Sequence, residues 1–225
     1  MRTLALIKLL SVETGIPDYS DPRCTIWRND QGYFHRDFGP ALIRTDGTQY
    51  WCRNDRLHRE DGPAAVQSDG TRKWYRNGEL HREDGPAVVK ADGAREWWIN
   101  GQLHREGAPA VVQADGTQKW YRHGQLHRDG GPAITKPNGA QYWYQNGGLH
   151  REDGPASECA GGSLWWRNDR LHREGGPAVT WADGSQEWYR NSKLHREDGP
   201  AIIRADGTRE WWINGQPVRR EEGGV

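Results

Sequence analysis

The sequence predicts an all-β protein: an elongated, single-domain array of stacked β-hairpin repeats, behind a short N-terminal cap able to form a helix. Three observations predict it. Histidines recur at His35, His58, His81, His104, His127 and His150, each 23 residues apart, then at His172 after 22 and His195 after 23 more. Turn signals divide each unit so finely that only four to seven residues remain between them, which suits strands and excludes regular helices. The 33 Leu, Ile, Val and Phe in 225 residues are too few for an aliphatic core, yet 13 Trp are present. Disordered chains lack aromatics.

Residues 1–24 precede the repeat, and Leu4, Leu6, Ile7, Leu9 and Leu10 have the spacing of an amphipathic helix over the first unit. The repeats run over 25–216. One unit reads Trp74-Tyr-Arg-Asn-Gly-Glu-Leu-His-Arg-Glu-Asp-Gly-Pro-Ala-Val-Val-Lys-Ala-Asp-Gly-Ala-Arg-Glu96. Its His-Arg-x-x-Gly-Pro core recurs in every unit but one, which reads His104-Arg-Glu-Gly-Ala-Pro109, and a ninth unit starts at Trp211 with Val218 in the histidine slot. Asn77-Gly78 is a two-residue hairpin signal, because a type I′ turn needs positive φ at both centres. It pairs Arg76 with Glu79, Tyr75 with Leu80, and Trp74 with His81. Asp92-Gly93 marks a second turn and Glu83-Asp-Gly-Pro86 a third. If Asp92-Gly93 is also a two-residue loop, Val88 falls beside Trp97. The side carrying Tyr75, Leu80 and Val89 is then the more buried one, since Trp74's side also collects Arg76, Glu79 and Lys90. A single unit cannot bury enough surface to offset its ordering entropy, so neighbours must stack. Residues 217–225 form a polar C-terminal tail whose end, Arg219–Val225, is expected to fray.

Composition excludes other classes. Lys plus Arg equals Asp plus Glu at 31 each, so a dedicated nucleic-acid binder, which needs a basic surplus, is disfavoured. No run approaches the roughly 20 apolar residues of a membrane span, and the N-terminal apolar run carries Lys8 and lacks a cleavage site, so it is not expected to be a signal peptide. Three cysteines (Cys24, Cys52, Cys159) with no CxxC suit a reducing compartment and a cytoplasmic location.

The unit resembles the MORN (membrane occupation and recognition nexus) repeat and its bacterial and viral variants. It shares the period and the order of aromatic, Asn-Gly, His, Gly and Asp-Gly, over nearly the whole chain. The segment Leu-His-Arg-Glu-Asp-Gly-Pro-Ala replaces the glycine-rich centre of the common family. The resemblance implies an elongated hairpin array that binds something, of the kind carried by bacteria, phages and large DNA viruses. Lipid binding is a poor carry-over without a basic surface surplus.

Catalysis and metal binding are not expected. Equivalent histidines in stacked units form a line about 9–10 Å apart, too far for shared ligation. Each is expected to pack by its tryptophan and to bond a turn carbonyl, while Arg82 and its counterparts pair with neighbouring carboxylates. No cofactor is implied. Partner-binding candidates are sought where the repeat breaks. Trp181 stands where other units place Arg44, Gln67, Lys90, Gln113, Lys136 or Arg204, either as an interface anchor or packed on the irregular neighbour. That neighbour, Ser157–Ser163, is one residue short and reads as a bend, a disordered turn or a contact loop. His123 replaces the turn asparagine, and Asp55, Asp169 and Ser192 replace the turn glycine, which is expected to change turn type. A second aromatic column (Cys52, Tyr75, Trp98, Tyr121, Tyr144, Trp166, Tyr189, Trp212) is either an internal stacking ladder or an exposed stripe for a partner. The expected function is non-enzymatic protein binding, with inhibition of a host enzyme or defence complex, in the host cytoplasm, as the form a phage-like role would take. The alternatives are a scaffold that self-associates through its ends and a ligand-binding or enzymatic module using the histidines.

Overall fold

The computed structural model describes residues 16–224; the helix expected over Leu4–Leu10 lies outside them. The described residues contain 33 strands, most of them two residues long, and no helix. The described residues form two compact units, divided between Gln102 and Leu103.

In the first unit an antiparallel meander runs through Ile16–Asp18, Cys24–Arg28, Leu42–Arg44, Gln49–Tyr50, Ala65–Val66, Arg72–Lys73, Val88–Val89 and Arg95–Glu96. In the second it runs from Val111–Val112 and Gln118–Lys119 to Arg209–Ile213 and Gln216–Glu221. Between alternate rungs the chain leaves the meander to make a separate two-stranded hairpin, such as Tyr75–Arg76 with Glu79–Leu80. Each repeat therefore contributes two rungs and one hairpin.

The hairpin register is the expected one: Arg76 opposes Glu79, Tyr75 opposes Leu80, and the His81 amide donates to the Trp74 carbonyl at 3.1 Å. Asn77 and Gly78 have φ of 52° and 90°, the two left-handed residues of a type I′ turn. The substituted turns do not change type. Asn54-Asp55, His123-Gly124, Asn168-Asp169 and Asn191-Ser192 all keep positive φ at both positions. The side chains help hold this conformation: Asp55 accepts from the Phe34 amide at 2.6 Å, Asp169 from Leu149 at 2.7 Å and Ser192 from Leu171 at 3.2 Å. Gly148 makes room for Asp169, whose carboxylate would lie 2.8 Å from a Cβ there.

The second turn differs from expectation. Val88 opposes Glu96 and Val89 opposes Arg95, one residue out of the register expected for a two-residue loop. Lys90 and Ala94 close a three-residue loop, with Gly93 at φ 88° after a turn closed by the Gly93 amide on Lys90. The extra residue changes which residues oppose one another, and the burial follows. Ala87 is fully covered, Val88 is 3% exposed and His81 8%, whereas Tyr75, Leu80 and Val89 are half-buried. Ala41, Ala64, Ala87, Ala110, Ala133, Ala156, Ala178 and Ala201 are each at 0% exposure. The carbonyls of Ala41, Ala64, Ala87, Ala133, Ala156, Ala178 and Ala201 accept the amide of their repeat's tryptophan at 2.7–2.8 Å. The innermost side chains of each unit are thus methyl groups.

The short segment is an ordered hairpin. Ser157–Cys159 pairs with Gly162–Leu164 around Ala160-Gly161, so the missing residue turns a three-residue loop into a two-residue one. Gly162 is needed because a Cβ there would come 2.2 Å from the Thr180 carbonyl oxygen. The first part of the tail is strand: Gln216–Glu221 pairs with Arg209–Ile213, so Arg219–Glu221, expected to fray, are paired. Pro217, Arg219 and Arg220 on this strand are features that guard an edge against further pairing.

Ala87→Val is expected to lower stability by roughly 1–3 kcal/mol by overpacking a site with no free volume, while Ala91→Val on the exposed loop leaves the thermal midpoint unchanged. Calorimetry distinguishes them. Acid sensitivity follows from the loop aspartates. Asp46 and Asp206 accept the backbone amides of Thr48 and Thr208, each at 2.8 Å, and these bonds, with those of the threonine hydroxyls, hold their carboxyls below the ordinary range. Their stabilisation is present above the unfolded carboxylate value near 3.9 and is lost as pH falls through the lower folded value. Asn138 makes the same amide bond without titrating. The double variant Asp46→Asn/Asp206→Asn should therefore melt below the parent at pH 7 and lose less melting temperature between pH 5 and pH 2.5, where the two converge.

Candidate functional site

The loop His-Arg-x-x-Gly-Pro returns the chain from hairpin to meander, and its arginine closes over the tryptophan that began the excursion. The guanidinium carbons of Arg36, Arg59, Arg82, Arg128, Arg151, Arg173 and Arg196 lie 4.0–4.3 Å from the ring centroids of Trp27, Trp51, Trp74, Trp120, Trp143, Trp165 and Trp188. Arg219 covers Trp211 at 4.7 Å even though the last unit has lost its histidine. Planar stacking of this kind is an arginine property. The expected ion-pair ladder is present beneath it: Arg82 Nε meets Asp84 at 2.8 Å, with equivalents at Arg59–Asp61, Arg151–Asp153 and Arg196–Asp198. Arg82 also donates to the Pro86 carbonyl at 3.3 Å. In seven of the eight units the residue before the proline is glycine, with Ala108 in the eighth; Gly85 shows the reason. Its φ is ordinary, but a Cβ would stand 3.1 Å from the Arg82 guanidinium carbon.

Three backbone-directed bonds tie each repeat to its neighbour. The Arg82 amide donates to the Trp98 carbonyl of the next hairpin at 3.1 Å, and the next turn returns two bonds. Gly101 donates to the Leu80 carbonyl at 3.0 Å, and Asn100 to His81 Nδ1 at 3.2 Å. The histidine therefore accepts a turn amide where a bond to a turn carbonyl was expected. Its Nε2 faces Glu83 at 3.1 Å. An Nε2–H tautomer satisfies both partners.

Between consecutive loops lie open grooves. One of 490 Å³ is lined by Trp51, Cys52, Arg59 and Glu60. Others of 560, 400 and 490 Å³ are lined by Trp120, Tyr121 and Arg128, by Trp143, Tyr144 and Arg151, and by Trp188, Tyr189 and Arg196. The stacked arginine, an aromatic or Cys52, and exposed loop carboxylates recur in each. The first groove carries Arg36, Arg53 and Arg59 against Asp37, Glu60 and Asp61, and so is charge-balanced. Burial pushes Tyr144 up, and burial together with the Glu187 hydrogen bond takes Tyr189 up to about 12, so these phenols are neutral hydrogen-bonding groups at pH 7. Burial and the nearby Asp55 push the Cys52 thiol up to about 11, away from the reactive thiolate.

The residues singled out in sequence fall into two sets. Tyr121, Tyr144 and Tyr189 line grooves. Trp98, Trp166 and Trp212 are half-buried. The indole of Trp98 donates to Glu96 at 3.0 Å and that of Trp212 to Glu210 at 3.1 Å, and each glutamate also meets a cation, Lys90 or Arg204. At Trp166 the glutamate slot is Leu164, and its buried indole nitrogen has no partner. Trp181, 41% exposed, takes the cation's place in this pattern. Its indole donates to Glu187 at 3.0 Å, and Glu187 in turn accepts from Tyr189 at 2.9 Å. No group of three metal-binding side chains occurs among the described residues.

Gly85→Ala is expected to lift Arg82 from Trp74 and cost about 1 kcal/mol, read as a lower melting temperature together with altered near-ultraviolet dichroism of tryptophan. An unchanged spectrum and melting temperature would show that the glycine serves another purpose.

Compared with known protein families and with curated proteins, the chain matches none.

Proposed function

We propose that this protein is a non-enzymatic binding protein that engages a protein partner along its repeated grooves and masks the surface that partner uses. The observation that carries the proposal is the recurrence of one groove chemistry. Stacked arginine and exposed carboxylates are offered again and again, with a phenol in three of the grooves and Cys52 in the first. Catalytic sites depend on singular residues converging in one pocket, whereas a row of equivalent shallow grooves suits an extended contact whose strength comes from many modest interactions. The charge balance of the first groove favours a mixed polypeptide surface over a polyphosphate, whose recognition requires a cationic excess. Aromatic and arginine side chains are also those that dominate protein interfaces.

The test uses the tagged full chain, captured from a lysate of its source cells beside a variant with Glu174→Lys and Arg190→Glu, two exposed residues of one groove. The parent should retain a stoichiometric protein that the variant loses by tenfold or more, with melting temperatures equal. Equal retention by both, or no stoichiometric partner for the parent, would overturn the proposal.

A further inference from the structure

Seven turn amides donate to the Nδ1 of the preceding repeat's histidine at 3.1–3.3 Å: those of Asn77, Asn100, His123, Asn146, Asn168, Asn191 and Asn214. One junction, His104 with His123, departs from the others in two linked ways. The turn asparagine is replaced by a second imidazole, and the two rings lie 4.6 Å apart at a 34° tilt. Among the described residues, His35, His58, His81, His127, His150, His172 and His195 each have a carboxylate 3.0–3.8 Å from Nε2. His104 has none there.

We propose that the His104–His123 junction is an acid-opened seam: proton uptake by this imidazole pair releases the turn Arg122–Gln125 from the preceding histidine. A histidine that accepts at Nδ1 is neutral and carries its hydrogen on Nε2. A second proton must go to Nδ1, which turns the acceptor into a donor aimed at the His123 amide. The junctions at His81 and His127 have an answer to this. Asn100 Oδ1 stands 2.9 Å from His81 Nδ1, and Asn146 Oδ1 stands 3.1 Å from His127 Nδ1, so each can accept the new hydrogen. Glu83 and Asp129 beside the respective Nε2 atoms balance the charge.

The seam offers neither, and it adds a second imidazole whose ring centre lies 4.6 Å from the first. The charged groups around the pair are Arg105 and Glu106 on the histidine's own loop and Arg122, His127, Arg128 and Asp129 across the groove. Asp129 is already engaged by Arg122 and His127. The following turn contributes only Gln145 and Asn146, which carry no charge. Acidification therefore places two cations side by side without a free counterion across the groove, and opening the seam separates them.

Amide hydrogen exchange by NMR on the full chain tests this, with the Asn146 amide as internal reference so that intrinsic pH effects cancel. Between pH 7.5 and pH 5.5 the protection of residue 123 relative to 146 should fall about tenfold, the effect of losing one hydrogen bond. His123→Asn, which installs the residue found at the neighbouring turns, should abolish that fall. A relative change below threefold in the parent, or a fall that persists in His123→Asn, would overturn the proposal. Nitrogen-15 shifts at pH 7.5 supply an independent check: His104 must show an unprotonated Nδ1, and a protonated one would equally overturn it.

Discussion

Both amides of seven left-handed turns, from Asn77-Gly78 to Asn214-Gly215, are donors to the repeat before them, and the array depends on that arrangement. In a hairpin that merely reversed the chain, any tight turn would do. Here Gly78 donates to the Leu57 carbonyl at 2.8 Å and Asn77 to His58 Nδ1 at 3.1 Å, so the turn is local geometry and inter-repeat joint together. This explains why Asp55, Asp169 and Ser192 accept a conformation that glycine adopts more easily. Leaving it would break a junction. With the arginine amide added, each junction holds three hydrogen bonds, worth roughly 3 kcal/mol at about 1 each.

Packing answers the composition in the same manner. With so few large aliphatics, the interior is a file of alanine methyls, and tryptophans shield it from the side under their arginine lids. The arginine acts by several routes at once: its face on the ring, its Nε on aspartate, its amide on the next hairpin. Glycine at Gly85 and its counterparts gives clearance to that guanidinium rather than backbone freedom. Neutral net charge is thus compatible with arginines in every unit, since most are matched within their own loop.

How much of this was legible in the sequence varied with the uniqueness of each local signal. Asn-Gly between aromatic and aliphatic residues admits one common turn, so Tyr75 opposite Leu80 was legible. Asp-Gly admits two, a two-residue loop and a three-residue loop ending in a left-handed glycine. The sequence does not separate them, and that ambiguity shifted which side was expected inside. The alanine file was overlooked because alanine carries little hydrophobic weight, although its place after every Gly-Pro was visible. At the candidate site, the periodic tyrosines were legible from their spacing. The bond from Trp181 to Glu187 was not, because it depends on a carboxylate six residues away having lost its usual cationic partner. The histidine acceptor role was likewise hidden, since it requires knowing which group of the next repeat approaches the ring.

The hairpin around Ala160-Gly161 has a consequence for how such a chain can change over generations. A one-residue loss there leaves Ser157 opposite Leu164 and Glu158 opposite Ser163, and the following rungs still align with Gly162–Leu164. Errors of length on this margin are therefore absorbed where they arise and do not propagate down the ladder. The margin is accordingly the natural place for the lineage to vary, and for an engineer to graft foreign peptide, without retuning the modules on either side.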